Sequence, residues 1–290
     1  MRILKGLEAT EQTLAEARSI PDFRIDAEFF EKLPPESPHL KWSTIGAHLI
    51  SSQYGLSMEM NDEGDGYPIY RMNEIDQMLC VEDLAKCAPI SETKAQEFFL
   101  NPRDVLFNRT NSQLLVGRTG LFLPFEDSPR IFASYLVRFV TNKETLLPEY
   151  LVAFLNSKRG RTDIKRRARI SINQSNVNPE EVKATRIPLL EMKIQRRVAM
   201  LFQVAHRRIV EARKILGDAE HLLLAELGLL KWKQNDSLTY QRSAVEVCNG
   251  ERFDAEFYAP MCKRFSLDCD RSTQQSGTSR SSARAIFSRT

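Results

Sequence analysis

No stretch of this 290-residue sequence sustains the roughly 18 apolar residues that a membrane span needs. The opening Met1-Arg-Ile-Leu-Lys-Gly6 has no apolar core ahead of a small-residue cleavage site, so the expected location is cytoplasmic, with no membrane partner. Cysteine is sparse. Cys80, Cys87, Cys248, Cys262 and Cys269 form no CxxC pair and no Cys/His cluster with zinc spacing, which points to reduced thiols and no metal site. Signatures of chemistry are missing too. Without GxGxxG or GxxxxGK(S/T), nucleotide phosphates have no evident cradle. There is no Asn/Asp-Pro-Pro-aromatic motif to hold an amine for methylation, and no HExxH or GxSxG. The acidic residues are scattered, with no Lys at short spacing as in a nuclease set. The expectation is a chain with no catalytic residues and no cofactor of its own.

What is present is an ordinary globular composition, 42% hydrophobic and 27% charged, enough for one large core or two small ones. Residues 1–33 read as broken helix, and Pro34-Pro35-Glu-Ser-Pro38 stops it. From residue 40 to 140 the pattern is mainly β. Trp42–Ile50 reads as a strand or a strand entering a helix. Tyr67–Met72, Asp104–Arg109, Leu114–Phe122 and Ile131–Val140 read as strands. Pro148–Asn156 starts a helix, with proline in its first turn. Phe202, Ala205, Ile209, Ala212, Leu216, Ala219, Leu223 and Leu227 then recur at heptad-like steps. They predict one helix over 191–229, weakened at Gly217 and stopped at Gly228, serving as a spacer or packed on its own domain. Phe23-Arg-Ile-Asp-Ala-Glu-Phe-Phe30 is echoed by Glu251-Arg-Phe-Asp-Ala-Glu-Phe-Tyr258, a candidate repeat. From Arg271 to Thr290 there are nine Ser/Thr, four Arg and no acid, a composition expected to be disordered.

The net charge of +3, from 41 basic and 38 acidic residues, says little; its segregation says more. Lys158-Arg-Gly-Arg-Thr-Asp-Ile-Lys-Arg-Arg-Ala-Arg169 carries seven cations against one acid, flanked by Asn156-Ser157 and Asn173-Gln-Ser-Asn176. Such residues neutralise phosphates and bond to base edges; a solvated helix face is the alternative. Asp104-Val-Leu-Phe-Asn-Arg-Thr-Asn-Ser112 ends in five consecutive hydrogen-bonding residues, then Val116-Gly-Arg118 returns. That is either a recognition loop or an ordinary polar hairpin. Ser51–Ser57 reads as a glycine loop carrying Gln53 and Tyr54.

The ordered series Tyr54-Gly55-x-Ser57, Gly66-Tyr-Pro-Ile-Tyr-Arg-Met-Asn73, Asp104–Ser112, Val116-Gly-Arg-Thr-Gly120, Phe132–Arg138, Pro148-Glu-Tyr-Leu151, Leu155-Asn-Ser157 and Ile187-Pro-Leu-Leu190 resembles the target recognition domain of type I restriction-modification specificity subunits. The resemblance covers about 40–265. It implies an α+β fold, a mixed β-rich recognition domain followed by a long coiled-coil-type helix. The implied layout is an amino-terminal segment (1–38), a recognition domain (39–190), a spacer or dimerisation helix (191–230), the start of a second repeat (231–265) and a disordered tail (266–290). The implied partners are double-stranded DNA, methyltransferase (M) and restriction (R) subunits, and a second copy through 191–230. S-adenosylmethionine, ATP and magnesium would belong to the partner subunits. Loop position and donor type put Gln53, Tyr54, Arg109, Asn111 and Arg118 near base edges, with Arg71, Asn73, Ser112, Asn173 and Asn176 as further DNA-binding residues. Phosphate contacts are expected from Lys158, Arg159, Arg161, Lys165, Arg166 and Arg167. The family's usual subunit has two recognition domains and two such helices. This chain has one of each plus the opening of a second copy, which fits a half-subunit that dimerises or a truncated product that binds M subunits without productive DNA recognition.

Overall fold

The computed structural model describes residues 13–19, 24–30, 33–124, 128–172, 174–230, 239–249 and 284–288. Asn173, Phe23, the 251–258 half of the echo and most of 266–290 lie outside the described residues. The strands are β1 (Trp42–Thr44), β2 (Leu49–Tyr54), β3 (Tyr67–Tyr70), β4 (Ile75–Asp76), β5 (Leu79–Cys80), β6 (Cys87–Ala88), β7 (Val105–Asn108), β8 (Thr110–Asn111), β9 (Thr119–Leu121), β10 (Ile131–Phe132), β11 (Leu136–Thr141), β12 (Arg169–Ser171), β13 (Gln174–Asn176), β14 (Arg186–Pro188), β15 (Thr239–Ser243) and β16 (Arg284–Ser288). The helices are α1 (Leu14–Ser19), α2 (Glu92–Ala95), α3 (Pro148–Asn156), α4 (Lys158–Arg167), α5 (Pro179–Ala184), α6 (Met192–Glu226) and α7 (Ala244–Asn249). The fold is therefore mixed α+β, with one long helix. The chain divides into two compact units, 1–213 and 214–290.

The first unit is built on a six-stranded sheet in the order β2-β11-β7-β9-β5-β4. Alternation explains its layers. Val105 and Phe107 on β7, with Val137 and Phe139 on β11, join the core that holds Leu151, Val152 and Leu155 of α3. Leu106 and Leu136, one position out of phase, join Tyr70, Ile75, Phe122 and Phe132 on the other side. Each such side chain, wholly removed from water, stabilises the unit by roughly 1.5–3 kcal/mol. A three-stranded sheet, β10-β3-β6, carries a smaller core with Leu56, Ile69 and Ala95.

Helices α3 and α4 meet at one residue. Ser157 ends α3, and its hydroxyl then caps α4 by accepting from the Gly160 N–H at 3.2 Å. A Cβ at Gly160 would stand 2.1 Å from the Phe154 carbonyl oxygen, so only glycine permits this bend. The α6 helix is about 52 Å long at ~1.5 Å per residue, from its 35 residues. Its start is clamped by the buried Gln195. That amide accepts from the Leu147 N–H at 2.9 Å and donates to the Thr145 and Leu190 carbonyls. Its end is a Schellman turn: the Gly228 N–H bonds to Ala225 and the Leu229 N–H to Leu224, with Gly228 at φ +67°.

Several sequence expectations are corrected. Ser51–Tyr54 is not loop but the end of β2, because its backbone pairs with β11 through Val137–Val140. Leu114–Phe122 yields only the short β9, since 113–117 is taken up by turns bonded back to Ser112 and Asn108. Ile131–Val140 is two strands, broken where Ala133–Tyr135 turns between sheets. Within the described part of 1–38, only α1 and one 3-10 turn (Ala27–Phe30) are helical. Arg24 and Phe29 of this segment are buried, and Arg24 Nη1 donates to the Arg167 carbonyl at 2.7 Å. In the second unit, Arg284–Ser288 of the tail is a strand paired antiparallel with β15 over five residues. Composition averaged over the tail hides this short run with Ile286 and Phe287, residue types that favour extended chain.

Candidate nucleic-acid interface

The end of β2, the end of β7, the start of β9 and the start of β11 come together at one end of the large sheet, through the registers Tyr54↔Val137, Asn108↔Leu136 and Phe107↔Thr119. Several predicted residues converge there. The Arg109 guanidinium lies over the Tyr54 ring at 5.1 Å. It donates to Asn176 Oδ1 at 3.1 Å and to the Ser134 carbonyl at 3.4 Å. Tyr54 is 51% exposed, so the stacked pair is open to solvent. Arg118 is half-buried and has no side-chain partner among the described residues, while Ser112 is exposed.

Other predicted residues hold the structure. Asn111 is buried; its amide donates to the Met72 carbonyl at 3.4 Å and its Oδ1 accepts from the Ser112 N–H at 2.7 Å. Gln53 receives a hydrogen bond from Arg138 and donates to the Glu97 carbonyl at 3.0 Å. Behind it, Arg138 also reaches Asp104 at 3.4 Å; burial pushes the Asp104 carboxyl above its ordinary value despite that cation. Arg71 pairs with Glu74 at 2.6 Å, and Asn73 is exposed in the following turn.

The basic run forms α4, and its cations sort by face. Arg166 and Arg167 both turn to the buried Asp163, at 2.7 and 2.9 Å, and both stack on Phe29. Arg159 lies 4.6 Å over Trp42 and donates to the Pro34 carbonyl. Lys158 and Arg161 are exposed and Lys165 half-buried, all without side-chain partners among the described residues. The expectation that the whole run meets phosphate is therefore narrowed to these three; the inward arginines are engaged by their own protein.

Beyond α4, β12 and β13 form a ribbon that continues onto β8, through Ser175↔Asn111 and Asn176↔Thr110. This joins the basic helix to the sheet end. Gln113, Leu114, Val116, Lys165, Ala168 and Ile170 surround a shallow cavity of about 260 Å³. Leu114, Ile170 and Ile172 are exposed, Ile172 at 91%. Sequence reading missed these apolar residues and Gln113, although Ile170-Ser-Ile172 alternates as a strand does. Neither 105–125 nor 164–179 contains an acidic residue, whereas they carry Arg109, Arg118, Lys165, Arg166, Arg167 and Arg169. No cluster of three or more His, Cys, Asp and Glu suited to a metal occurs among the described residues, and no described helix is long and apolar enough to cross a membrane.

No protein-family model matches the chain. It is similar to the type I restriction enzyme MjaX specificity subunit of Methanocaldococcus jannaschii, 27% identical over 150 residues, covering 51% of this chain and 35% of that protein. It is also similar to the type I restriction enzyme EcoKI specificity subunit of Escherichia coli K12, 26% identical over 183 residues, 61% of this chain and 39% of that protein. The chain thus spans less than two fifths of one of these relatives and about two fifths of the other. Among solved structures, the HsdS subunit from Thermoanaerobacter tengcongensis aligns with a TM-score of 0.38 at 18% identity, over 64% of this chain and 43% of that one. The type I restriction-modification S subunit from M. genitalium aligns with a TM-score of 0.41 at 13% identity, over 73% and 55%.

Proposed function

Because the chain is a sequence relative of type I restriction enzyme specificity subunits, we propose that it recognises double-stranded DNA and directs methyltransferase and restriction subunits to it, without catalysing either reaction. The observation that carries this reading is a surface rich in cations and polar side chains. It joins the Tyr54–Arg109–Asn176 cluster, Arg118, the β12–β13 ribbon and the outward cations Lys158, Arg161 and Lys165. Cations of this kind neutralise phosphates, and polar groups of this kind hydrogen-bond to base edges. Methyl transfer from S-adenosylmethionine and ATP- and magnesium-dependent work belong, on this reading, to the partner subunits.

The test is selection from a randomised duplex library by the full chain, alone and with a type I methyltransferase subunit, followed by a salt titration. The expected result is an enriched motif and an affinity whose logarithm falls linearly with log salt, by about 0.9 per phosphate contact. Salt-independent binding with no enrichment would sink the reading.

A second reading has its own observation. Ile215, Leu216, Leu222, Leu223 and Leu227 of α6 and its terminal turn are exposed, at spacings that suit a helical partner. A second copy seated there would restore two recognition domains. A methyltransferase subunit captured through this stripe, by a chain that shows no sequence preference for DNA, would instead make the protein an interaction module.

A further inference from the structure

The β12–β13 ribbon has two unlike faces. Its register pairs Arg169 with Asn176, Ile170 with Ser175 and Ser171 with Gln174. Successive strand side chains alternate, so Arg169, Ser171, Gln174 and Asn176 share one face, and Ile170 shares the other with Ser175. Ser175 is buried and Ile170 lines the cavity with Leu114 and Lys165; that face is turned to the protein. Arg169, Ser171 and Gln174 on the opposite face are exposed. This outward face runs on into the sheet-end cluster, since Asn176 accepts from Arg109 at 3.1 Å. At the turn, Ile172 stands almost wholly in solvent. An isoleucine so placed adds nothing to its own core, and its neighbours in sequence from 164 to 179 include four cations and no acid.

On the DNA-binding reading above, we propose that this ribbon is a major-groove reading element, with Gln174 paired to an adenine edge and Ile172 set against a thymine methyl. The major groove, about 12 Å wide, admits a two-stranded ribbon, and the thymine C5-methyl is the apolar group displayed there. A glutamine amide matches the donor and acceptor pair of adenine N6 and N7. Gln174 has no side-chain partner among the described residues, so its amide is available. Lys165, half-buried at the base of the ribbon, is the kind of cation that pairs with a flanking phosphate. Charge favours DNA over a protein surface as the occupant: Lys165 and Arg169 stand at the base of the ribbon, and Arg109 and Arg118 stand at the sheet end that the ribbon adjoins.

The test uses the full chain on its selected duplex. Each thymine is replaced in turn by deoxyuridine, which lacks the methyl, and each adenine by 7-deazaadenine, which lacks N7. The wild type is expected to lose about fourfold at one deoxyuridine position, the worth of one buried methyl. It is expected to lose about tenfold at one 7-deazaadenine position. Ile172→Ala abolishes the first sensitivity and Gln174→Ala the second. Both variants keep their affinity for random duplex within about twofold, because no phosphate contact is lost. Both residues are exposed, so the variants fold. Variants that retain both sensitivities overturn the assignment while leaving DNA binding intact. Failure of the wild type to bind duplex at all removes the broader reading as well. Loss of methyltransferase capture by Ile172→Ala, with DNA selection unchanged, makes the ribbon a protein contact instead.

Discussion

Arg166 and Arg167 share Asp163, which lies three and four residues behind them and so about one helical turn away, and the sequence spacing already contained that pairing. The consequence separates two variants. Arg166→Ala with Arg167→Ala leaves the buried Asp163 carboxylate without its cations, so Tm is expected to fall with a stability loss of roughly 2–3 kcal/mol. Lys158→Ala, Arg161→Ala and Lys165→Ala together leave Tm nearly unchanged and flatten the salt slope of DNA binding by about 0.9 per contact removed. Thermal melts and salt titrations of the two variants check this; the opposite pattern would mean that the faces of α4 are misassigned. Legibility at this scale was uneven. Residue type marked the donor-rich positions, but it could not tell Arg118, which has no side-chain partner among the described residues, from Asn111, which holds the Met72 carbonyl. That difference is made by residues far away in sequence.

Helix α6 was the most legible element, because a period sustained over many turns leaves few alternatives; the expected span of 191–229 differs from Met192–Glu226 by a few residues at each end. Only its first half has a core beneath it. Ala199 is buried, and Val198, Phe202 and Ile209 pack against the main core, whereas the seam residues from Ala212 to Leu227 are exposed. His206 lies on the packed part. Burial lowers its pKa below the ordinary 6.5, while the Leu123 carbonyl and Glu82 pull it back up and Arg213 adds to the lowering. A depressed folded-state pKa means that the unfolded chain takes the proton first. Stability from this group is therefore present above about pH 6.5 and lost as pH falls through the lower folded value. His48 is lowered in the same way, by burial and Lys41, so the wild type alone does not isolate the effect. Melts between pH 7.5 and 5.5 are expected to show a smaller acid-side decline in His206→Leu than in the wild type; equal declines would exclude His206 as the source. The strands were less legible than the helix. The ribbon was missed because Arg169-Ile-Ser-Ile172 follows directly on a basic helical run, and the break at Ala168 carries neither glycine nor proline.

For the molecule as a whole, the α+β class and a long helix after the strand-rich part followed from pattern and resemblance. The strand pairings within the five sheets among the described residues did not, since register depends on partners distant in the chain. If the exposed seam of α6 seats a second copy, light scattering gives twice the 33.3 kDa of one chain. Leu216→Glu with Leu223→Glu then returns the single-chain mass; a wild type that stays at one chain mass at high concentration would remove the dimer from the proposal. One feature also governs how the protein behaves in the tube. In the order β12-β13-β8, β12 lies at the edge of its sheet, and its outer backbone groups form an open template for another strand. Arg169 and nearby Lys165 act as gatekeepers whose charge repels an identical edge. Salt that screens them, or substitutions that remove them, should therefore promote strand-to-strand aggregation.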